Sequence, residues 1–474
     1  MPRLNLSKLN LMNNYSLKML GLAAGFALFG GLTAQAQDKA TLDLLVKKGV
    51  ITQSDADDVA KSSATPIVVT PKDGAVKGLK LEGMIQAQFD MLSTKDNGGG
   101  SVTPTSTDEF LLRRVYLGAL ADMGNGWNAE VLLDMAGTDG ANQPKGGPGV
   151  ATPVVGATYN PAIGQNYFEK ILITKKLDDL SALLGVGYRK VDFTQEEETS
   201  SAQLKVVERS VVSRFFDESY GNSINGRVGF ANRHTGIYWS GTLPAVPGFY
   251  YSAAITDGVQ NEDLQFTNTG GLNKFGYWAN VGDKATISGV KLDAGVNFGL
   301  SQDQNAVNIS QVTPASTVNQ SNTMWGYNPY VKLDVGNFEL SAEFEQVSID
   351  NGRGVSPQTA SRAMPYGFQI TPSYKITPEW EVVARYAYLD TNGRGVNISD
   401  VDRDGENTIT GGTLYNNIST FYAGINWYIV GSAVKWSAGY EFDDFYNRSA
   451  AAGGAFAGPS AQVQGFRTQL QVTF

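Results

Sequence analysis

The chain has 474 residues, with 37 basic and 46 acidic side chains, a formal charge of −9 and a single histidine. It contains no cysteine, so disulfides and thiolate metal sites are excluded, and one imidazole cannot build a histidine-rich metal centre. The acidic balance argues against nucleic acid as a partner, while 54 Gly, 21 Tyr and 22 Phe suit long strands joined by Gly-rich turns.

Residues 1–36 read as a signal peptide. Lys18 precedes a short apolar run over 19–32, and Ala34-Gln35-Ala36 offers a small-x-small cleavage site before Gln37. Met12 is an alternative start to Met1. Removing the leader takes away Arg3, Lys8 and Lys18 and no acid, so −9 becomes −12. No other stretch approaches the roughly 18 apolar residues of a membrane helix, so any membrane passage must be made by strands.

Residues 37–78 read as a helical periplasmic appendage and a Pro-containing linker. Leu42, Leu45 and Val46 share a helical face, Gly49 is placed to stop that helix, and Thr52 with Asp55 makes a capping box for a second. So short a piece cannot bury a core of its own. Pro66, Pro71 and Gly74 mark the linker.

From residue 79 to residue 474 the hydrophobic period is two. Leu79, Leu81, Ile85, Phe89 and Met91 alternate with Lys80, Glu82, Gln86, Gln88 and Asp90. The same alternation runs through 127–135, 290–300, 380–388 and 434–443. There are about sixteen to eighteen such segments, and even parity favours 16 strands in a bacterial single-chain barrel. Connections fall into two sets. Tight ones include Asp122-Met123-Gly124-Asn125-Gly126, Gly336-Asn337 and Thr377-Pro378; long polar ones include 95–107, 138–165, 258–273, 301–322, 351–361 and 391–412. The final strand sets Phe466, Leu470, Val472 and Phe474 on one face and Gly465, Arg467, Gln469 and Gln471 on the other. An unpaired edge at the chain end is removed if this strand meets the first one. The fold class expected is therefore all-β: a transmembrane antiparallel β-barrel of 16 strands, its apolar row on lipid and its polar row on water.

Such a barrel works through its lining. Alternation puts Lys80, Lys170, Arg189, Arg227, Lys291, Lys332, Lys375, Arg385, Lys435 and Arg467 on the polar face. Of Arg113 and Arg114 one should face inward, and Val115, Leu117 and Ala119 outward select Arg114. Arg209 and Arg214, beside Glu208 and Asp217, belong either to a strand or to a loop folded inside. Acids including Glu82, Asp90, Glu130, Asp134, Glu343, Glu345, Glu381 and Glu441 share that face, so alternation alone gives no excess of positive charge.

Two blocks carry a resemblance. The first is Phe110-Leu111-Leu112-Arg113-Arg114-Val115-Tyr116-Leu117-Gly118 followed by Leu132-Leu133-Asp134. The second runs from Gly185-Val186-Gly187-Tyr188-Arg189-Lys190-Val191-Asp192-Phe193 through Glu196-Glu197-Glu198 to Glu208-Arg209-Ser210. In order and spacing they resemble the phosphate-selective porin O/P family of bacterial outer-membrane porins, as does the terminal strand. The resemblance implies a homotrimer of 16-stranded barrels in outer-membrane lipid, with a third external loop (here 138–165) folded inward. It also implies passive diffusion of small anionic solutes such as phosphate past basic side chains. Arg114, Lys170, Arg189, Arg209, Arg214, Arg227, Arg385 and Asp134 are the pore-lining and anion-binding candidates. A weakly selective general porin, or a surface-binding barrel using the long loops, are the alternatives.

No cofactor is implied. Asp400, Asp402 and Asp404 with Gly405 look like half of a calcium loop, but the twelfth position is Gly411, so the bidentate ligand is missing and an acidic external loop is the simpler reading. His234 reads as a turn residue between segments 223–231 and 236–241. With no nucleophile–base pair in view, an enzyme is not expected.

Overall fold

A computed structural model describes residues 68–69, 76–97, 105–136, 168–218, 227–231, 233–257, 275–303, 322–350, 362–401, 414–449 and 458–474. The chain divides into units 1–65 and 66–474, and only the second contains described residues. The leader, the expected helices before residue 66 and loop 138–165 lie outside them, while 68–69 and 76–78 of the expected linker are described.

A two-residue strand, β1 (Val68–Val69), precedes sixteen long ones. The first eight are β2 (Gly78–Asp96), β3 (Thr105–Gly124), β4 (Trp127–Asp134), β5 (Phe168–Leu177), β6 (Ala182–Lys190), β7 (Arg233–Thr242), β8 (Phe249–Asp257) and β9 (Phe275–Ile287). The second eight are β10 (Val290–Asp303), β11 (Asn322–Val335), β12 (Phe338–Ile349), β13 (Tyr366–Lys375), β14 (Trp380–Asp390), β15 (Leu414–Ser432), β16 (Val434–Ser449) and β17 (Ala461–Thr473). Each pairs antiparallel with its sequence neighbours, and β17 pairs with β2 from Ala461↔Asp96 to Thr473↔Met84. The sheet closes. No edge is left unpaired in the cylinder, as a backbone surrounded by hydrocarbon requires.

Alternation decides what each face meets. Ile85, Phe110, Leu112, Ile237, Ile370 and Phe421 are exposed on the outside, whereas Gln86, Gln88, Asp90, Asn297, Arg385 and Gln471 are buried on the inside. No helix among the described residues is long and apolar enough to span a membrane, so the crossing is made by strands. One rim carries the tight turns. Between β3 and β4 the chain reverses through Gly124, Asn125 and Gly126, all left-handed at φ 79°, 53° and 77°. Glycine takes that conformation without cost and asparagine tolerates it, which is why this tripeptide serves as the turn. The opposite rim carries the long connections.

The regular pattern breaks at one place that matters for the interior. Gln86 faces Arg114 and Ala87 faces Leu112, so Arg113 is an extra residue bulged into β3. Leu112 stays outside and Leu117 is outside again, but Arg113 and Arg114 are both buried within the barrel. Strict alternation admits only one of them. The bulge corrects that expectation to two inward guanidiniums.

Lipid contact is the outer surface's role, so a charge there should be costly. Ile370→Arg, near the middle of β13, is expected to destabilise the folded barrel by about 2–4 kcal/mol. Urea-dependent loss of the compact, heat-modifiable electrophoretic form measures it.

Candidate functional site

The third long connection, between β6 and β7, folds into the lumen. Counting along the strands makes 138–165 the second such connection, so the expected placement of the third loop is corrected to the chain between Lys190 and Arg233. It contains helix α1 (Gln195–Glu198), a single 3₁₀ turn at Ser201–Gln203 and helix α2 (Val211–Asp217). Ser210 starts α2, its hydroxyl accepting from the Ser213 N–H at 3.1 Å. Every residue of α2 is buried.

The segment brings its own hydrophobic core. Val191, Phe193, Val212, Phe215, Phe216 and Phe230 pack with Trp278, Leu389, Ile398 and Tyr415 inside the cylinder. Phe193 and Phe230 meet edge to face with centroids 4.9 Å apart. Such a core holds the loop in place as a partition, because removing it exposes aromatic surface to water.

Around that core runs a circuit of charges. Glu208 receives Arg113 in a two-pronged pair, Nε to Oε1 at 2.5 Å and Nη2 to Oε2 at 3.2 Å. Gln88 donates to Glu208 and to Asp90; Arg467 binds Asp90 at 2.7 Å and Glu441 at 2.6 Å. Arg385 reaches Glu441 and Glu196, and its Nη1 donates to the Glu208 carbonyl at 2.7 Å. The circuit thus ties the segment to β2, β3, β14, β16 and β17. Further along, Lys205 joins Glu381 at 2.7 Å and Glu339 at 2.8 Å, and Lys435 donates to the Leu204 carbonyl at 2.6 Å.

This explains the second sequence block residue by residue. Phe193 enters the core, Glu196 takes Arg385 and the Ser210 N–H, and Glu197 takes Arg209 and Lys190. Glu208, Arg209 and Ser210 then point to the wall, to the segment itself and to the start of α2. Burial alone would raise the Glu197 carboxyl, but Arg209, Lys190 and Arg233 outweigh it and hold it down from the ordinary 4.5 to about 2.

The candidate residues do not form one anion site. Lys170 pairs with Glu130, Arg189 with Asp192, Arg209 with Glu197, and Arg214 and Arg227 both with Glu218. Arg385 belongs to the circuit. Asp134 is a backbone acceptor at the end of β4, taking the Val115 and Ala136 N–H groups at 3.1 and 3.0 Å beside the β3 bulge. Arg114 differs from the other basic candidates: its Nη1 donates to Gln86 Oε1 at 2.7 Å, and no carboxylate pairs with it among the described residues. The side chains of Asp400, Asp402 and Asp404 lie outside the described residues. His234 is a buried strand residue of β7, opposite Arg189 and 5.2 Å from the Trp278 ring, rather than a turn residue; 227–231 is not a strand.

One cavity adjoins the segment. Its volume is about 760 Å³, and it is lined by Asp192, Gln195 and Glu198 from the segment and by Tyr250, Asn280, Asp293 and Tyr330 from the wall. Tyr250 donates to Asp293 at 2.5 Å and its hydroxyl meets that of Tyr330 at 2.6 Å. The lining carries both signs of charge, with Lys284 set against Asp293.

A closed membrane barrel with a polar interior, narrowed by an inward third connection, is a porin-type channel. The sequence profile of the family described as phosphate-selective porin O and P matches residues 79–474, and the chain belongs to that family. Among solved structures, the outer membrane channel DcaP of Acinetobacter baumannii is 12% identical with a TM-score of 0.52, over 86% of this chain and 100% of that one. An anion-selective porin from Comamonas acidovorans is 12% identical with a TM-score of 0.51, over 84% and 99%. No curated protein sequence matches the chain. The protein is an outer-membrane channel of this family.

Two outcomes follow from the circuit. Glu208→Gln leaves the Arg113 guanidinium buried without its carboxylate and should weaken seating of the segment by about 3–5 kcal/mol, read as faster hydrogen exchange across α2. Glu197 contributes stability that is complete above the ordinary glutamate value of 4.5 and is lost as pH falls toward about 2. Exchange protection of α1 should therefore decline over that acidic window, and Glu197→Gln should flatten the decline.

Proposed function

We propose that the protein is a passive diffusion channel for small solutes with a preference for anions, phosphate among them, and that it works as a homotrimer. In this reading residues 1–36 direct export, and 37–78 form a periplasmic appendage to the barrel of 79–474. Membership of the family supports the reading, as does the shared fold with a porin whose description is anion-selective. The observation that carries it is Arg114. It is a buried inward cation held by a neutral amide, so its charge is not cancelled locally and can attract a passing anion.

A second reading, a weakly selective pore, draws on a specific observation as well. Nearly every other basic candidate is matched to a carboxylate, and the cavity beside the segment carries both signs. Neutral pairs contribute little net field. Bond-making chemistry has no part in either reading, since the family and fold are those of channels.

One experiment decides between them. Purified protein in a planar bilayer under a potassium chloride gradient should give a reversal potential of anionic sign, with single-channel closures in groups of three. Arg114→Gln should move that potential toward zero. A wild-type potential already at zero favours the weakly selective pore, and a cationic one overturns the anion preference.

A further inference from the structure

The last residue of α2 and the wall behind it hold two acids that the ion-pair circuit does not reach. Asp217 and Glu345, the latter on β12, are both 0 % exposed. Asp217 Oδ2 accepts the hydroxyl of Thr194, but its Oδ1 has no partner, and neither oxygen of Glu345 has one.

The neighbouring charges are already committed. From α1, Glu196 holds Arg385 and Glu197 holds Arg209 and Lys190. On β12, Glu343 accepts the N–H groups of Gln195 and Glu196 at 2.8 and 3.0 Å and the amide of Asn328 at 3.0 Å; from β13 it accepts the amide of Gln369. Arg214 on α2 and Arg227 just beyond it both hold Glu218, while Arg394 donates to the Arg227 carbonyl at 3.2 Å. On β14, Arg385 is spent on Glu196 and Glu441, and Glu381 on Lys205. Helix α3 (Ile398–Val401) presents buried Ile398 and Val401.

Carboxylates stripped of water and given neither a cation nor donors do not stay ionised. They keep a proton. By this argument each of the two acids is held in its neutral form. Their placement makes the protons consequential. α2 lies across β12, β13 and β14, and Val212 sits so close to Gly367 that a Cβ there would come within 2.6 Å of it. Glu345 is the ladder partner of Gly367. The carboxyl pair is therefore part of the seat on which α2 rests.

We propose that the neutral, protonated carboxyls of Asp217 and Glu345 keep the inward segment seated on the barrel wall, so that the segment is a pH-sensitive latch, closed while the protons are held and loosened when alkali removes them. Burial first, and then the negative charges of Glu197 and Glu343, keep the Asp217 carboxyl well above the ordinary carboxylate range. The sign follows. A carboxyl raised in the seated state favours seating most below its ordinary value, and the advantage is lost as pH rises through the raised one.

The chain lacks cysteine, so Val212→Cys gives a single reporter under α2. Its labelling by a small thiol reagent is compared, at each pH, with the same reporter carrying Glu345→Gln, which cancels the reagent's own pH dependence. From about pH 7 to about pH 10 the ratio of the first rate to the second should climb, approaching tenfold per pH unit beyond the Glu345 titration. Asp217→Asn as the comparison should give a climb as Glu345→Gln does, and it stands in if Glu345→Gln fails to give the heat-modifiable barrel. Single-channel current should become noisier with alkali in wild type and less so in either variant. A ratio that stays flat in both backgrounds overturns the proposal. Neither readout depends on which ions pass, so the anion preference stands or falls separately.

Discussion

Every other feature of this molecule depends on the last strand finding the first. The pairing is carried to the terminal residue: Gly83 donates to the Phe474 carbonyl at 2.9 Å and Phe474 donates back at 3.0 Å. Gly83 has no side chain, and the Phe474 ring occupies the place one would take. In hydrocarbon an open seam would leave a row of unsatisfied amides, each costing several kcal/mol. Closure is therefore a requirement of the environment and not a local preference. It is also a distant contact, with Gln86 bonded to Gln471 across 385 residues, so local structure cannot deliver it early in folding.

Within the closed wall, the interior solves a second problem. A cylinder of sixteen strands has far more lumen than its side chains can fill, and here an inserted segment takes up part of it. Its apolar residues make a core with wall residues such as Leu389 and Ile418, and its Glu208 and Lys205 are matched to Arg113 and Glu381 of the lining. The basic residues that a simple pore picture would offer to passing ions are for the most part structural. They fix the partition, and the partition determines where the open space lies.

How much of this can be read from the chain follows from the range of the interaction involved. Period two is local, so the outer and inner rows, the closing strand and the turn at Gly124-Asn125-Gly126 are legible directly. The bulge at Arg113 is not, because it is defined by the partner strand: only pairing with Gln86 and Ala87 shows that β3 carries one residue too many. Two adjacent arginines were the available signal, since strict alternation cannot place both. The inward segment was half legible. Its Glu-Arg-Ser stretch stood out, but Glu208 finds Arg113 95 positions away, and spacing does not show that. Loop order failed for a related reason, since naming the third connection requires the strand count before it. The neighbours of His234, Asn232 and Thr235, are turn formers by type, whereas pairing with Arg189 and contact with Trp278 hold it in a strand.

The two ends of the inward insert are themselves ladder partners, Lys190 opposite Arg233. The strands that hold them are zipped together down to Ala182 and Gly241, whatever is strung between. Ring-closing entropy grows only with the logarithm of length, so a longer or shorter cartridge in this position would burden the scaffold very little. The barrel can thus be regarded as a socket that is indifferent to the length of its insert, while wall groups such as Arg113 and Glu381 restrict which contents it accepts.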